Sequence, residues 1–198
     1  MMPIEPMEQP KGRKRLTLAA VVGTVTASLL LTNIPKDESG RTVKVSIAEN
    51  GEATVRHISG KQYLKAYLDI VGVATACDGL TSYKGRKITI KDQFTEEQCA
   101  VMLEDELVTH ASGVMRCTPG LALTIPRRDN VRFAAVSLAY NVGVPTYCAS
   151  TGRRLVNEGK IGPACDAFTW FNKAGGRVSK GLVNRRAHER AVCIKDAV

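Results

Sequence analysis

Residues Leu16 to Ile34 carry no charged side chain. At a rise of about 1.5 Å per residue, a helix over this run just spans a hydrocarbon core of about 30 Å. Lys11, Arg13, Lys14 and Arg15 stand ahead of it. Basic residues stay on the cytoplasmic side, so residues 16–34 are expected to cross a membrane with the chain's start inside. Thr17, Gly23, Thr24, Thr26, Ser28, Thr32 and Asn33 dilute the run. A span this weakly apolar is expected to insert and later escape. A permanent anchor is a second reading. A signal peptide cut near Ala27 is a third, although Leu29-Leu30-Leu31 directly after that point argues against it.

The six cysteines, Cys77, Cys99, Cys117, Cys148, Cys165 and Cys193, all follow this run. None stands in a C-x-x-C pair, which speaks against a zinc site or a thioredoxin-like centre. Outside the cytoplasm they are free to form disulfides. Sequence alone does not choose among the pairings that six cysteines allow. The formal net charge of +9 asks for a partner or surface of opposite sign. No zinc-finger spacing, aromatic RNA-binding motif or basic zipper points to nucleic acid; an anionic envelope is the other candidate partner, and a merely solvated basic surface, the commonest case, is a third reading.

After Pro35 a charged, Gly-containing stretch (36–41) reads as a linker. Thr42–Ala48 and Ala53–Ile58 then alternate in polarity around Glu49-Asn50-Gly51-Glu52, and Asn-Gly between alternating runs predicts a β-hairpin. Next comes Tyr67-Leu-Asp-Ile-Val-Gly-Val-Ala-Thr-Ala-Cys-Asp-Gly-Leu-Thr81. Gly72 permits a sharp turn, Val73 to Ala76 alternate as a short strand, and Asp69 faces the hydroxyl of Thr75 across the turn.

The pattern Tyr67-x-Asp69-x-x-Gly72-x-x-Thr75-x-x-x-Gly79 resembles the core signature of the phage-type lysozymes, glycoside hydrolase family 24, and the resemblance runs on to about residue 195. It implies that Asp69 stabilises positive charge on a sugar or helps activate water, and that Thr75 orients that water. It also implies a glutamate, shortly before the signature Asp, that protonates the leaving oxygen. The residue at that point here is Gly60, with Ser59 before it, so no carboxylate stands where one is needed. Glu52, at the hairpin tip, is the nearest stand-in if the hairpin folds over the cleft. Asp78 is expected to face away from Thr75, and His57 to be a strand surface residue.

Thr95 with Gln98 three residues on forms a capping box. Cys99, Met102, Leu103, Leu107 and Val108 follow at helical spacing, with Glu104, Asp105 and Glu106 read as the solvated side. Val131 to Tyr140 reads as a central helix ending in the family-like Tyr140-Asn141-Val142-Gly143, with Asn141 a cap and Gly143 a left-handed terminator. The Trp170 segment and Gly181-Leu182-Val183-Asn184-Arg185-Arg186-Ala-His-Glu189 also resemble the family. Glu189 is placed to pair with Arg185 and Arg186 along one helix face. Trp170 and Phe171 are expected in the core. Asn141, Trp170 and Arg185 are the candidates for substrate contact, beside these structural roles. Similarity to related endolysins implies the pairings Cys77–Cys99, Cys117–Cys148 and Cys165–Cys193.

The expected fold is α+β and lysozyme-like: two lobes, mainly helical, with a small β-lobe and a hydrophobic segment at the start. The expected organisation is a basic tail and membrane segment (1–35), a linker and hairpin (36–58), and a lysozyme-like catalytic domain (59–198). The resemblance implies a monomeric endolysin that cuts the β-1,4 bond between N-acetylmuramic acid and N-acetylglucosamine in peptidoglycan. It would sit at the bacterial inner membrane through residues 16–34, facing the periplasm, with no metal, organic cofactor or nucleic acid implied. The rival reading is a lysozyme fold that grips glycan or serves a phage structure without cutting, suggested by the missing glutamate.

Overall fold

In a computed structural model that describes residues 15–69 and 71–197, the uncharged run leaves water, but into protein. The basic residues Lys11, Arg13 and Lys14 lie outside the described residues. Thr17 caps a short helix α1 (Leu18–Val22) by accepting from the Ala20 amide. Gly23, at φ 86°, breaks the run, and α2 (Thr24–Ser39) continues it to a left-handed cap at Gly40. Leu18, Val22, Leu30, Leu31 and Ile34 are all 0% exposed. The expected single span is therefore replaced by two helices, and among the described residues no helix is long and apolar enough to cross a membrane. The residues that dilute the run have protein partners: Thr26 Oγ1 donates to the Asp129 carbonyl at 3.0 Å, and Asn33 Oδ1 lies 3.0 Å from His188 Nε2.

The predicted hairpin forms as β1 (Thr42–Ile47) and β2 (Ala53–Ser59), antiparallel, with Val45 opposite Val55. Val43 and Val55 face inward, and Lys44 and Arg56 face solvent. β1 lies along α2, and the tip reaches the start of α1, where a Cβ on Gly51 would come within 2.7 Å of Thr17 Oγ1. At the other end the strands close on themselves, since a Cβ on Gly60 would lie 2.7 Å from the Gly40 carbonyl. The hairpin is thus an excursion that leaves the end of α2 and returns to it.

Two short strand pairs follow: β3 (Tyr67–Leu68) with β4 (Ala74–Thr75), and β5 (Ser82–Tyr83) with β6 (Arg86–Lys87). They cover a small core of Ala66, Ala76, Cys77, Leu80, Ile88 and Met102. Helix α3 (Glu96–Cys117) opens on the expected Thr95–Gln98 capping box and carries the chain to the larger lobe. One feature of α3 differs from expectation. Glu104 is buried, because Arg15 Nη1 reaches it at 3.1 Å and the Leu18 amide donates to it at 3.2 Å.

In the larger lobe α4 (Asp129–Val142) is surrounded, every residue from Val131 to Ala139 being buried. Around it stand α5 (Val144–Cys148), α6 (Thr151–Asn157), α7 (Ile161–Phe168), a third small pair β7 (Lys173–Ala174) and β8 (Arg177–Val178), and α8 (Lys180–Cys193). Gly143 ends α4 with φ 86° but an extended ψ of 145°, and Asn141 lies inside the helix rather than capping it. The core of this lobe is continuous with α1 and α2: Leu30, Leu103, Leu107, Phe133, Leu138 and Tyr147 belong to one cluster. Residues 16–39 are accordingly part of the globular body. Disulfides join Cys77 to Cys99, Cys117 to Cys148 and Cys165 to Cys193.

Candidate active site

The turn between β3 and β4 is built by Asp69. Its Oδ1 accepts the amides of Val71 at 2.9 Å and Val73 at 2.8 Å, and Gly72 takes φ 80°. The Asp69 amide donates to the Val73 carbonyl at 2.9 Å, and Thr75 Oγ1 donates to the same carbonyl at 3.1 Å. One backbone oxygen therefore gathers Asp69 and Thr75. Tyr67 pairs opposite Thr75. Burial pushes its phenol pKa up, and the neighbouring Tyr63, Asp69 and Glu38 push it further. The Tyr67 side chain thus feels both Asp69 and a second carboxylate.

That carboxylate, Glu38, was not among the expected site residues. It lies in the last turn of α2, just ahead of Ser39 and the Gly40 cap. Arg185 Nη1 donates to its Oε1 at 2.6 Å, while its Oε2 would lie 3.4 Å from a Cβ on Gly79, at the end of the signature. Glu38 therefore bridges the end of α2, the β-lobe loop and α8. Counting back from Asp69 misses it, because the hairpin separates the two in sequence. With the hairpin set aside, Glu38 stands in the last turn of the helix before Asp69, as the resemblance implies for the acid, though a few residues further back. The legible signal was a Glu two positions before a Gly, shortly after an apolar run.

Arg185 is half of a buried charge cluster. Its Nε lies 3.3 Å from Glu189 and 3.7 Å from Asp37. Burial alone would pull its pKa down, but the Glu38, Glu189 and Asp37 carboxylates more than offset this and hold it up. Glu189 is fully buried and takes Arg186 Nη2 at 2.7 Å and Ser137 Oγ at 2.5 Å, as the helix spacing suggested for the arginines. Arg185 is thus fixed from below and holds Glu38 in turn.

Lys36, Glu38, Asn141, Ser179, Asn184 and Arg185 line a cavity of about 550 Å³. That lies within the usual range for a small-molecule site, and Asp69 and Thr75 are not among its lining residues. Asn141 and Arg185 are therefore brought to Glu38, the latter by direct contact with it. Trp170 is not among the lining residues and, contrary to its expected place in the core, is 65% exposed beside the β7–β8 pair. Glu52 is also not brought here. It is exposed at the hairpin tip beside α1, and β1 carries the tip about 20 Å from Gly40 at roughly 3.3 Å per residue. His57 sits in β2, half-buried, with its amide donating to Glu96.

Residues 59–189 match the family model described as Phage lysozyme. Among curated proteins, a SAR-endolysin of Bacteriophage PS119 is 38% identical over 69% of this chain and 77% of its own length. A SAR-endolysin of Enterobacteria phage P21 is 37% identical over 69% of this chain and 78% of its own. Among solved structures, an endolysin from Escherichia coli O157:H7 phage FAHEc1 superposes with a TM-score of 0.65 at 24% identity, covering 86% of this chain and 92% of its own. A P22 lysozyme mutant gives 0.60 at 25% identity over 83% and 94%.

Proposed function

The chain belongs to the phage lysozyme family, and from that premise we propose that it is a muramidase endolysin with Glu38 as its general acid, hydrolysing the β-1,4 N-acetylmuramic acid–N-acetylglucosamine bond of peptidoglycan to lyse a host cell. One observation carries the assignment of the acid. Glu38 on α2 lines a cavity of small-molecule size, and its Oε2 would lie 3.4 Å from a Cβ on Gly79, in the β-lobe loop that follows Asp69 and Thr75. In its protonated form Glu38 gives its proton to the glycosidic oxygen as the bond breaks. Asp69, oriented by two backbone amides, faces the positive charge that develops on the sugar or draws a proton from the attacking water, and Thr75 positions that water. Arg185 fixes the rotamer of Glu38, and Asn141 lies where the glycan would pass. With Glu38 in place, the reason for a non-cutting reading falls away.

Digestion of purified Gram-negative peptidoglycan tests this. Products ending in reducing N-acetylmuramic acid are expected, and Asp69→Asn should slow their release by about 100-fold or more. Cleaved stem peptides on intact glycan would overturn the reading.

Residues 16–34 are proposed to act as a signal-arrest-release segment that holds the enzyme at the inner membrane and then joins its core. The basic residues ahead of the run, its dilution by Thr, Gly and Asn, the cysteines that follow it and the naming of its relatives as SAR-endolysins support this. Cell fractionation should find the protein in the membrane while the membrane is energised, and in the periplasm after an uncoupler is added. Retention in the membrane under both conditions would mean a permanent anchor.

A further inference from the structure

Asp78 occupies a position where nothing in the proposed chemistry needs a carboxylate, yet it is only 1% exposed. Its partner Arg41, the residue before β1, is 4% exposed. Arg41 Nη2 donates to Asp78 Oδ2 at 2.5 Å and Arg41 Nε to Oδ1 at 3.1 Å. Ser39 Oγ lies 2.9 Å from the same Oδ1 and 2.8 Å from the Pro35 carbonyl, so its one proton is shared between the Asp78 carboxylate and the last turn of α2. Burying an ion pair is a poor route to stability, because desolvation offsets most of the attraction, so its place in the structure calls for another account.

Ser39 and Arg41 flank Gly40, the cap of α2, and Glu38 precedes them directly. Asp78 therefore grips the very end of the helix that carries the acid. The loop on which Asp78 sits is itself immobilised: the Cys77 amide donates to the Tyr63 carbonyl at 2.8 Å, and Cys77 is bonded to Cys99 of α3. The same loop continues β4, which bears Thr75, and its Gly79 touches Glu38. The hairpin explains why a grip is needed. It lies between Glu38 and Asp69 in sequence, so the chain connecting them is too long to fix their separation by itself. Arg41 stands at the point where that excursion begins.

We propose that Asp78, through Arg41 and Ser39, is a positioning residue that sets Glu38 against Asp69 and Thr75, a noncovalent tether that replaces a short chain connection. The proposal rests on Glu38 being the acid. A misplacement of about 1 Å at such a group lowers turnover by about 100-fold, so the effect belongs in kcat.

The test measures kcat, KM and melting temperature on soluble peptidoglycan fragments. Asp78→Asn is expected to lower kcat by about 10- to 100-fold with KM within about twofold. The paired change Arg41→Met with Asp78→Leu fills the site with apolar groups and is expected to keep the melting temperature while kcat stays low. Wild-type kcat in that folded double variant would overturn the proposal. Ser39→Ala removes one hydroxyl and no charge, so it reads the tether even if the charge variants do not fold. A severalfold fall in kcat at unchanged KM and melting temperature is expected, and no change would overturn the proposal. Glu38→Gln, run in parallel, separates the two ideas: full activity there refutes the acid, whereas its loss together with a normal Ser39→Ala refutes only the tether.

Discussion

Single residues in this molecule take their roles from the partners that meet them, some local and some distant in sequence. Asp92 shows the electrostatic side of this. Burial pushes its carboxyl pKa up, but the Thr89 amide at 2.8 Å and Arg86 at 2.9 Å outweigh that and hold it below the usual value. A carboxyl whose pKa is lower in the folded state adds stability above its unfolded pKa and loses it as pH falls through the folded one. Asp92→Asn should therefore cost about 1–2 kcal/mol near neutral pH. Thermal melts from pH 7 downward should show the gap between variant and parent narrowing below about pH 4. The turn that joins Asp69 and Thr75 was legible because its chemistry is local, whereas the catalytic roles proposed for them come from the resemblance of the surrounding motif. Glu38 was not, because its relation to them exists only once the intervening hairpin has closed. Glu104 and Trp170 illustrate the same limit. A run of acids reads as solvated until Arg15 and the Leu18 amide arrive, and an aromatic reads as core until its neighbours are known.

Secondary-structure elements were readable where their signals lie within a few residues. The Asn50-Gly51 turn with alternating flanks gave the hairpin, and Thr95 with Gln98 gave the start of α3. The stretch before Pro35 was ambiguous for a physical reason. An uncharged run loses contact with water equally well in a bilayer or in a protein core, and periodicity does not separate the two. What separates them here is Gly23, which divides the run, and the mates found by Thr26 and Asn33. Burying Leu18, Val22, Leu30, Leu31 and Ile34 contributes about 10 kcal/mol at roughly 2 kcal/mol per side chain. That is a gross gain, set against the entropy of ordering the two helices, and the same side chains share one core with those of α3 and α4, so α1 and α2 are integral to the fold. Leu30→Ala in the soluble protein should accordingly cost about 2–5 kcal/mol, read by urea unfolding. An unchanged midpoint would mean that the segment lies outside the core.

At the level of the whole molecule, helices α1 and α2 do two jobs at once: they complete the core of the larger lobe and they carry Glu38, the proposed acid. The disulfides brace both lobes, one joining the β-lobe loop to α3 and two tying the helices of the larger lobe together. A net charge of +9 favours a negatively charged envelope polymer over a neutral one. On the proposed assignment, docking of the first helices is a condition for activity, since without them the cleft lacks Glu38. The sharpest measurement is turnover of purified peptidoglycan by Glu38→Gln beside Glu52→Gln. The first should lose about 1,000-fold or more of its rate while remaining folded, and the second should stay within about twofold of the parent. An active Glu38→Gln, or a dead but folded Glu52→Gln, would contradict the account.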